Sequence, residues 1–232
     1  MFRLSNEYAP DELARIIDIC MKALRFKDAY TFAHSERVGK IAEEISTHLD
    51  LTGEEINASC SLGRLHDIGK LFVPNSILRK PASLTEIEWE SMRKHSVDAV
   101  RILSCMNFMD RYMDVVRALH ERFDGKGYPD GLEGGQIPAL ARILAVADSF
   151  DAMTTDRPYR KAQPLEYVYS ELIRERGRQF CPQVVDVVLA MLENKMKKPY
   201  AVVTASIKKL FEVAPSPVPV PVPALARVYR AA

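Results

Sequence analysis

The sequence predicts an all-α protein that folds as a helical bundle. Apolar residues recur at helical spacing over residues 11–26 and again over residues 33–49. Residues that start and stop helices separate such stretches, and no convincing strand pattern or internal repeat is present. The chain has 232 residues, 47% hydrophobic and 27% charged, which is enough to bury a core of ordinary size.

Helix boundaries are indicated by capping residues, prolines and a glycine. The motifs Thr52-x-x-Glu55 and Ser83-x-x-Glu86 each predict a capping box at the start of a helix. Pro164 and Gly177 bracket a further helix, because proline favours the first helical turn and glycine the position after the last. Pro182 is predicted to begin the last core helix.

Composition excludes several functional classes. A net charge of +1 creates no field that would attract nucleic acid or an anionic membrane. The four cysteines are too widely spaced for a zinc site or a disulfide framework, and no apolar stretch is long enough to span a membrane. We therefore predict a cytoplasmic protein with reduced thiols, no membrane span and no nucleic-acid partner.

His34 lies on the apolar stripe of its predicted helix, in line with Val38, Ile41 and Ile45. It should therefore point into the core. Considered alone, it is better interpreted as a hydrogen-bonded core histidine than as a ligand, because buried polar groups usually find partners.

The run from His66 to Lys70 favours a metal site more strongly. An imidazole beside a carboxylate can bind one cation, and the second oxygen of Asp67 can bridge to another. Gly69 permits a sharp turn, and the Lys70 ammonium suits a phosphate oxygen. The alternative is a helix cap followed by an ordinary lysine.

Three further residues extend this set of candidate ligands. His95 and His120 lie in or near helices, and Asp148 lies inside the apolar run that begins at Ile143. A carboxylate in such a run is costly to bury unless it is paired or bound to a metal. A structural ion pair is the alternative, but several inward acceptors without an obvious inward cation favour a metal cluster.

From about Phe26 to Met191 the chain resembles the HD-GYP family of the HD phosphohydrolase superfamily. The motifs that carry the resemblance occur in family order: His34-Ser35-x-Arg37-Val38, His66-Asp67-Ile68-Gly69-Lys70, Lys94-His95, His120-Glu121-Arg122-Phe123-Asp124-Gly125-Lys126-Gly127-Tyr128-Pro129, Ala141-Arg142-Ile143, Ala147-Asp148-Ser149-Phe150-Asp151-Ala152-Met153 and Asp156-Arg157-Pro158-Tyr159-Arg160.

The resemblance implies an HD-type helical bundle with a metal site in its core. It implies a phosphodiesterase of bacterial second-messenger signalling that hydrolyses cyclic di-GMP, or a related cyclic dinucleotide, to pGpG or GMP. The expected cofactors are two divalent metal ions, iron or manganese. By position, one ion would be bound by His34, His66, Asp67 and Asp148, and the other by Asp67, His95 and His120.

The same resemblance implies roles for residues around the metals. Lys70 and Asp67 are the expected catalytic residues, and Lys70 would bind substrate phosphate together with Arg157 and Arg160. The loop Gly127-Tyr128-Pro129 resembles the surface by which such domains meet diguanylate-cyclase (GGDEF) domains.

Two positions depart from the family pattern. Leu119 stands where a ligand of the second metal is expected, and Tyr30 stands where members with three metals have a carboxylate, so a third ion is not expected. Leu119 leaves a second hypothesis open: a catalytically impaired cyclic dinucleotide receptor or adaptor that acts through partner proteins. A third hypothesis is an HD phosphohydrolase acting on another nucleotide.

Three segments are expected along the chain. Residues 1–25 form an N-terminal helix or linker, residues 26–198 form the phosphohydrolase domain, and residues 199–232 form an extension with a tail rich in proline and valine. The tail favours extended polyproline II conformation, which is typical of a spacer.

Overall fold

The computed structural model describes residues 10–156 and 161–196, and this part of the chain is largely helical. The predicted all-α fold is therefore confirmed. In chain order the α-helices are α1 (Pro10–Lys27), α2 (Ala29–His48), α3 (Gly53–Leu65), α4 (Asn75–Leu78), α5 (Glu86–Arg93), α6 (His95–Leu103), α7 (Met113–Arg117), α8 (Ala139–Thr154), α9 (Leu165–Glu175) and α10 (Pro182–Met196). Short 3-10 helices lie at Ile68–Phe72, Asn107–Tyr112 and Gly134–Gln136.

Most of the predicted helix boundaries are confirmed. The Thr52 and Glu55 side chains and backbones form the predicted capping box. Helix α9 begins directly after the predicted Pro164, and α10 begins at the predicted Pro182. The predicted box at Ser83 is wrong, because the helix begins two residues later with Thr85 and Glu88 as the reciprocal pair. Two overlapping copies of the same motif are present, and the motif alone does not choose between them.

The core is built around α2, which packs against α1, α3, α8 and α10. In its apolar stripe Val38 and Ile45 are fully buried and Ile41 is partly buried. Each of these four neighbouring helices contributes buried apolar side chains to the same cluster as α2, so the bundle has one continuous core. The largest fully buried side chains are Met21, Leu24, Ile45, Leu62, Leu65, Ile68, Leu103, Leu119, Ile143, Leu144, Leu172 and Leu192.

Helices α2 and α3 approach each other closely at a pair of glycines. A Cβ atom on Gly63 would lie 2.7 Å from the Cα atom of Gly39, closer than side-chain carbons ever come. Any larger residue at Gly63 would therefore push the two helices apart. This close approach matters for function, because α2 carries His34 and α3 is followed directly by His66.

Two expectations about organisation stay predictions. The expected boundary after residue 25 falls within α1, whose Ile17, Met21 and Leu24 are buried in the common core. The C-terminal extension and its tail lie outside the described residues, as do Arg157 and Arg160. Among the helices in the described ranges, none is both long and apolar enough to cross a bilayer.

Candidate metal centre

His34 is held in place by a carboxylate and a guanidinium. Its Nδ1 donates a hydrogen bond to Asp151 Oδ2 at 2.7 Å. Arg37, one turn further along α2, donates from Nε and Nη2 to the two oxygens of the same carboxylate, at 2.6 and 3.0 Å. A bidentate pair of this kind fixes both orientation and charge. It aims His34 Nε2 towards Asp148 Oδ1, 3.1 Å away.

His66 and Asp67 follow the last turn of α3. The Nδ1 atom of His66 donates to the Gly63 carbonyl at 2.7 Å, so a neutral His66 ring keeps the lone pair of Nε2 free for a cation. That Nε2 lies 3.4 Å from Asp67 Oδ2. Potential ligand atoms of His34, His66 and Asp67 all lie within 4.8 Å of one another, and the three residues are buried. They form a candidate metal site.

Gly69 lets the segment after Asp67 pack directly on the start of α6. A Cβ atom at this position would lie only 1.9 Å from the carbonyl oxygen of His95, so the observed packing requires glycine. The contact brings His95 Nε2 to 3.6 Å from Asp67 Oδ1. His95 Nδ1 donates to the Met92 carbonyl at 2.6 Å, which again leaves the Nε2 lone pair directed at the centre.

His120 completes the second group of nitrogens. Its Nε2 lies 2.8 Å from His95 Nε2. Its ring stacks on Tyr128, with ring centroids 5.1 Å apart and the planes 17° apart. Burial, reinforced by the nearby His95 imidazole, lowers the pKa of His120 to about 3, so the ring is neutral at ordinary pH. A neutral buried imidazole is the form that binds metals.

Asp67 lies between the two groups of histidines. Its Oδ2 accepts a hydrogen bond from Lys70 Nζ at 2.6 Å, whereas its buried Oδ1 has no hydrogen-bond partner among the described residues. Burial alone raises the pKa of this carboxyl, but the neighbouring His66, Lys70 and His95 outweigh burial and hold the pKa well below its usual value. An ionised, buried and unpaired oxygen is costly unless a cation binds it.

The residues therefore fit a metal centre on their own chemistry. Imidazole nitrogens converge on the Asp67 carboxylate, and among the described residues only its Oδ2 accepts a hydrogen bond, from Lys70. Histidine and carboxylate ligands suit borderline and hard divalent ions such as iron and manganese. Two groups that share one carboxylate suit a pair of ions, because the two oxygens of that carboxylate can bind different cations.

The structure brings most of the predicted site residues together. His34, His66, Asp67, Lys70, His95, His120 and Asp148 all meet in one cluster. Leu119 is buried in the apolar core, and the Tyr30 ring lies parallel to that of His34 with the centroids 6.5 Å apart. The two predicted substrate arginines lie outside the described residues.

Sequence reasoning missed the supporting roles of several residues. Asp151 was seen only as part of a motif, although it lies one helical turn after Asp148 and so shares its face of α8. Glu121 is buried, and its Oε1 accepts from the backbone N–H groups of Asp130 and Gly131 at 2.7 and 3.1 Å. It thereby holds the loop that carries Tyr128 against the centre.

A family model described as an HD domain matches residues 18–184. Among curated proteins, the cyclic di-GMP phosphodiesterase response regulator RpfG of Xanthomonas campestris is 40% identical over 172 residues, which are 72% of this chain and 45% of that protein. A cyclic di-GMP phosphodiesterase of Thermotoga maritima is 37% identical over 192 residues, 82% of this chain and 52% of that protein. The chain thus spans about half the length of these relatives.

A solved structure gives the same fold. A cyclic GMP-AMP specific phosphodiesterase of Vibrio cholerae superposes with a TM-score of 0.59 at 16% identity, covering 88% of this chain and 54% of that one. At that identity the likeness concerns the fold alone. It agrees with the bundle described above, in which α2, α3, α6 and α8 or their ends carry the buried cluster.

Proposed function

This chain belongs to the HD domain family, and from that premise we propose that it is a metal-dependent phosphodiesterase acting on cyclic di-GMP or a related cyclic dinucleotide. The resemblance to HD-GYP proteins, first drawn from motifs, is confirmed by relatives at this level of identity. The observation that carries the proposal is the buried Asp67 carboxylate, which has histidines on two sides and an unpaired Oδ1.

Two divalent ions, iron or manganese, would be bound by the clustered side chains. His34, His66, Asp67 and Asp148 would bind the first, and Asp67, His95 and His120 the second. When bound, such ions supply a water activated for attack at neutral pH and offset the negative charge of a phosphodiester. The hydrogen bonds support this assignment. His66 and His95 each donate from Nδ1 to a backbone carbonyl, which leaves Nε2 as the nitrogen that can bind an ion.

Lys70 would bind a non-bridging oxygen of the phosphate that is cleaved. Its ammonium lies beside Asp67, and 21% of its side chain is exposed, so it reaches the solvent side of the cluster. A positive charge fixed there stabilises the charge that builds on phosphorus oxygens during transfer. Arg157 and Arg160 would bind the second phosphate, for which the donor fork of arginine is suited.

The reaction would consume one water for each bond cleaved. The water oxygen bonds to phosphorus, the bond from phosphorus to the 3′ oxygen breaks, and the departing oxygen takes up a proton. The first product is a linear dinucleotide such as pGpG, and a second round would give GMP. The names of the relatives leave the choice between cyclic di-GMP and cyclic GMP-AMP to experiment.

A cyclic dinucleotide receptor with little turnover is the second candidate function. It is favoured by one observation, the apolar and buried Leu119 beside His120, where a further ligand is expected. Docking of a diguanylate-cyclase domain on Gly127, Tyr128 and Pro129 also stays a proposal. These three residues are half-buried, and the ring of Tyr128 faces His120.

The test is to purify the chain, load it with iron or manganese, and count the bound ions by elemental analysis. The loaded protein is then incubated with cyclic di-GMP, cyclic GMP-AMP or cyclic di-AMP, and the products are separated by chromatography. We expect close to two ions per chain and conversion of a guanine-containing substrate to its linear form. Chelated protein is the control.

A loaded protein that binds a cyclic dinucleotide in calorimetry but leaves it intact would favour the receptor. A loaded protein that neither binds nor cleaves any of the three contradicts both candidate functions.

A further inference from the structure

Helix α5 exposes an aromatic side chain beside the candidate metal centre. None of its residues is buried, and Trp89 keeps 44% of its surface exposed. The helix is held by its capping box and by Lys80, whose Nζ donates to Glu88 Oε2 at 2.6 Å. A capped helix without a fully buried residue contributes little to the core, and exposed indoles are enriched where proteins bind partners.

A series of stacked groups connects Trp89 to the metal ligands. The Arg93 guanidinium carbon lies 6.0 Å from the centroid of the Trp89 ring and 5.9 Å from that of Tyr128. Tyr128 also stacks on His120, at 5.1 Å between ring centroids. Arg93 therefore lies between two aromatic rings within cation–π range, and a single ring separates it from the histidine cluster.

Tyr128 is influenced by the charges of the metal centre and by the charge of Arg93. Burial raises the pKa of Tyr128, the carboxylates of Asp148 and Asp67 raise it further, and Arg93 opposes them. The Tyr128 ring stacks on His120 of the centre and lies within cation–π range of Arg93. We expect the nucleoside attached to a phosphodiester at the centre to extend towards Arg93 and Trp89, because Tyr128 contacts both His120 and Arg93.

We propose that Trp89 and Arg93 form a nucleobase subsite, in which the indole stacks on one purine of the cyclic dinucleotide and Arg93 fixes the indole while facing the anionic substrate. The inference rests on the proposed function and deepens it. An exposed indole suits any base, because every base has a π face, and an adjacent guanidinium adds attraction for a nucleotide. Trp89 is then a substrate-binding residue that favours a nucleotide over a phosphodiester without a base, whichever base the nucleotide carries.

The sequence offers a direct probe, because Trp89 is the only tryptophan in the chain. Stacking of guanine on an indole quenches its fluorescence. We expect cyclic di-GMP to quench the emission of the metal-loaded protein within the first turnover, and GMP to quench it at equilibrium. Inorganic phosphate, which has no base, should leave the emission unchanged. Equal quenching by phosphate would contradict stacking.

Kinetics give the second readout. We compare kcat/KM for cyclic di-GMP with kcat/KM for bis(p-nitrophenyl) phosphate, a phosphodiester without a nucleobase. The ratio of the two should fall about ten-fold or more in Trp89→Ala, through a higher KM for cyclic di-GMP, because loss of one base stack weakens binding by that order. Trp89→Phe should recover part of the loss, and Arg93→Ala should show a smaller fall.

Tyr167→Ala is the matched control, since Tyr167 is an aromatic residue on α9 with a similar exposed fraction of 47%. It should leave the ratio unchanged. If wild-type protein cleaves cyclic di-GMP and Trp89→Ala retains the wild-type ratio, the subsite is wrong and the proposed function stands. If wild-type protein cleaves only bis(p-nitrophenyl) phosphate, the proposed function fails and the subsite fails with it.

Discussion

The candidate metal centre has two sides, and they shift the pKa of a histidine in opposite directions. On the side of Asp148, burial alone lowers the pKa of His34, but hydrogen bonds to Asp148 and Asp151 outweigh burial and raise it to about 9. On the side of His120, burial and His95 lower the pKa of that histidine to about 3. The two imidazoles differ in their neighbours: carboxylates surround the first, and a second imidazole and a phenol ring surround the other.

This difference predicts unequal affinity for metal ions. The Asp148 side, formed by His34, His66 and Asp148, offers a carboxylate of its own in addition to the shared Asp67. The His120 side, formed by His95 and His120, offers neutral nitrogens and only the shared carboxylate. Anionic ligands attract a divalent ion more strongly than neutral ones in a buried site. We therefore expect the Asp148 side to fill first during a metal titration.

Replacing the shared carboxylate should have the largest effect. Asp67→Asn removes the charge on which both sides depend, and we expect loss of both ions and a fall in kcat/KM on the order of a thousand-fold, since metals contribute several kcal/mol to such reactions. Elemental analysis and product chromatography measure the two effects. Asp18→Asn, at an exposed residue paired with Lys22 on α1, is the control. A variant that kept both ions would disprove the bridging role.

Removing the hydrogen bond that orients His34 should have an intermediate effect, and only on metal binding at the Asp148 side. Asp151→Asn removes the carboxylate that holds the His34 ring and Arg37, and we expect about ten- to a hundred-fold weaker binding of the first ion, as for other groups that orient metal ligands. Isothermal titration with manganese resolves the two binding steps.

The matched control for this variant is Asp186→Asn. Asp186 makes a similar bidentate pair with Arg176, at 2.7 and 2.8 Å, but on α10 and at the surface. It should leave both binding steps unchanged. If Asp151→Asn weakened binding of the second ion as much as binding of the first, the two sides of the centre would not bind their ions independently, which contradicts the predicted difference.

The smallest effect is expected on the His120 side. Leu119→His should tighten binding of the second ion a few-fold, because it restores a neutral ligand but must bury an imidazole in place of an apolar side chain. Leu119→Met keeps the volume and adds no nitrogen, so it should leave affinity unchanged. The same titration distinguishes them. Unchanged affinity in Leu119→His would mean that an imidazole at this position in the apolar core does not reach the second ion.

Much of the fold follows from local sequence, and its main error shows why local sequence has limits. The periodicity on α1 and α2, the box at Thr52 and the helix starts at Pro164 and Pro182 are confirmed because each depends on contacts within a few residues. The predicted box at Ser83 is wrong by two residues, since an equivalent motif begins at Thr85 and the motif alone does not choose between them.

The sequence by itself determined the inventory of the site: which imidazoles, carboxylates and ammonium are available, and on which helices they lie. Only the tertiary structure decided the hydrogen-bond partners and the pKa values of these groups. Asp151 reaches His34 across 117 positions of sequence, and His95 reaches His120 across 25. Burial and neighbouring charge set each pKa, and both depend on helices that meet in space, as α2 and α3 do at Gly39 and Gly63.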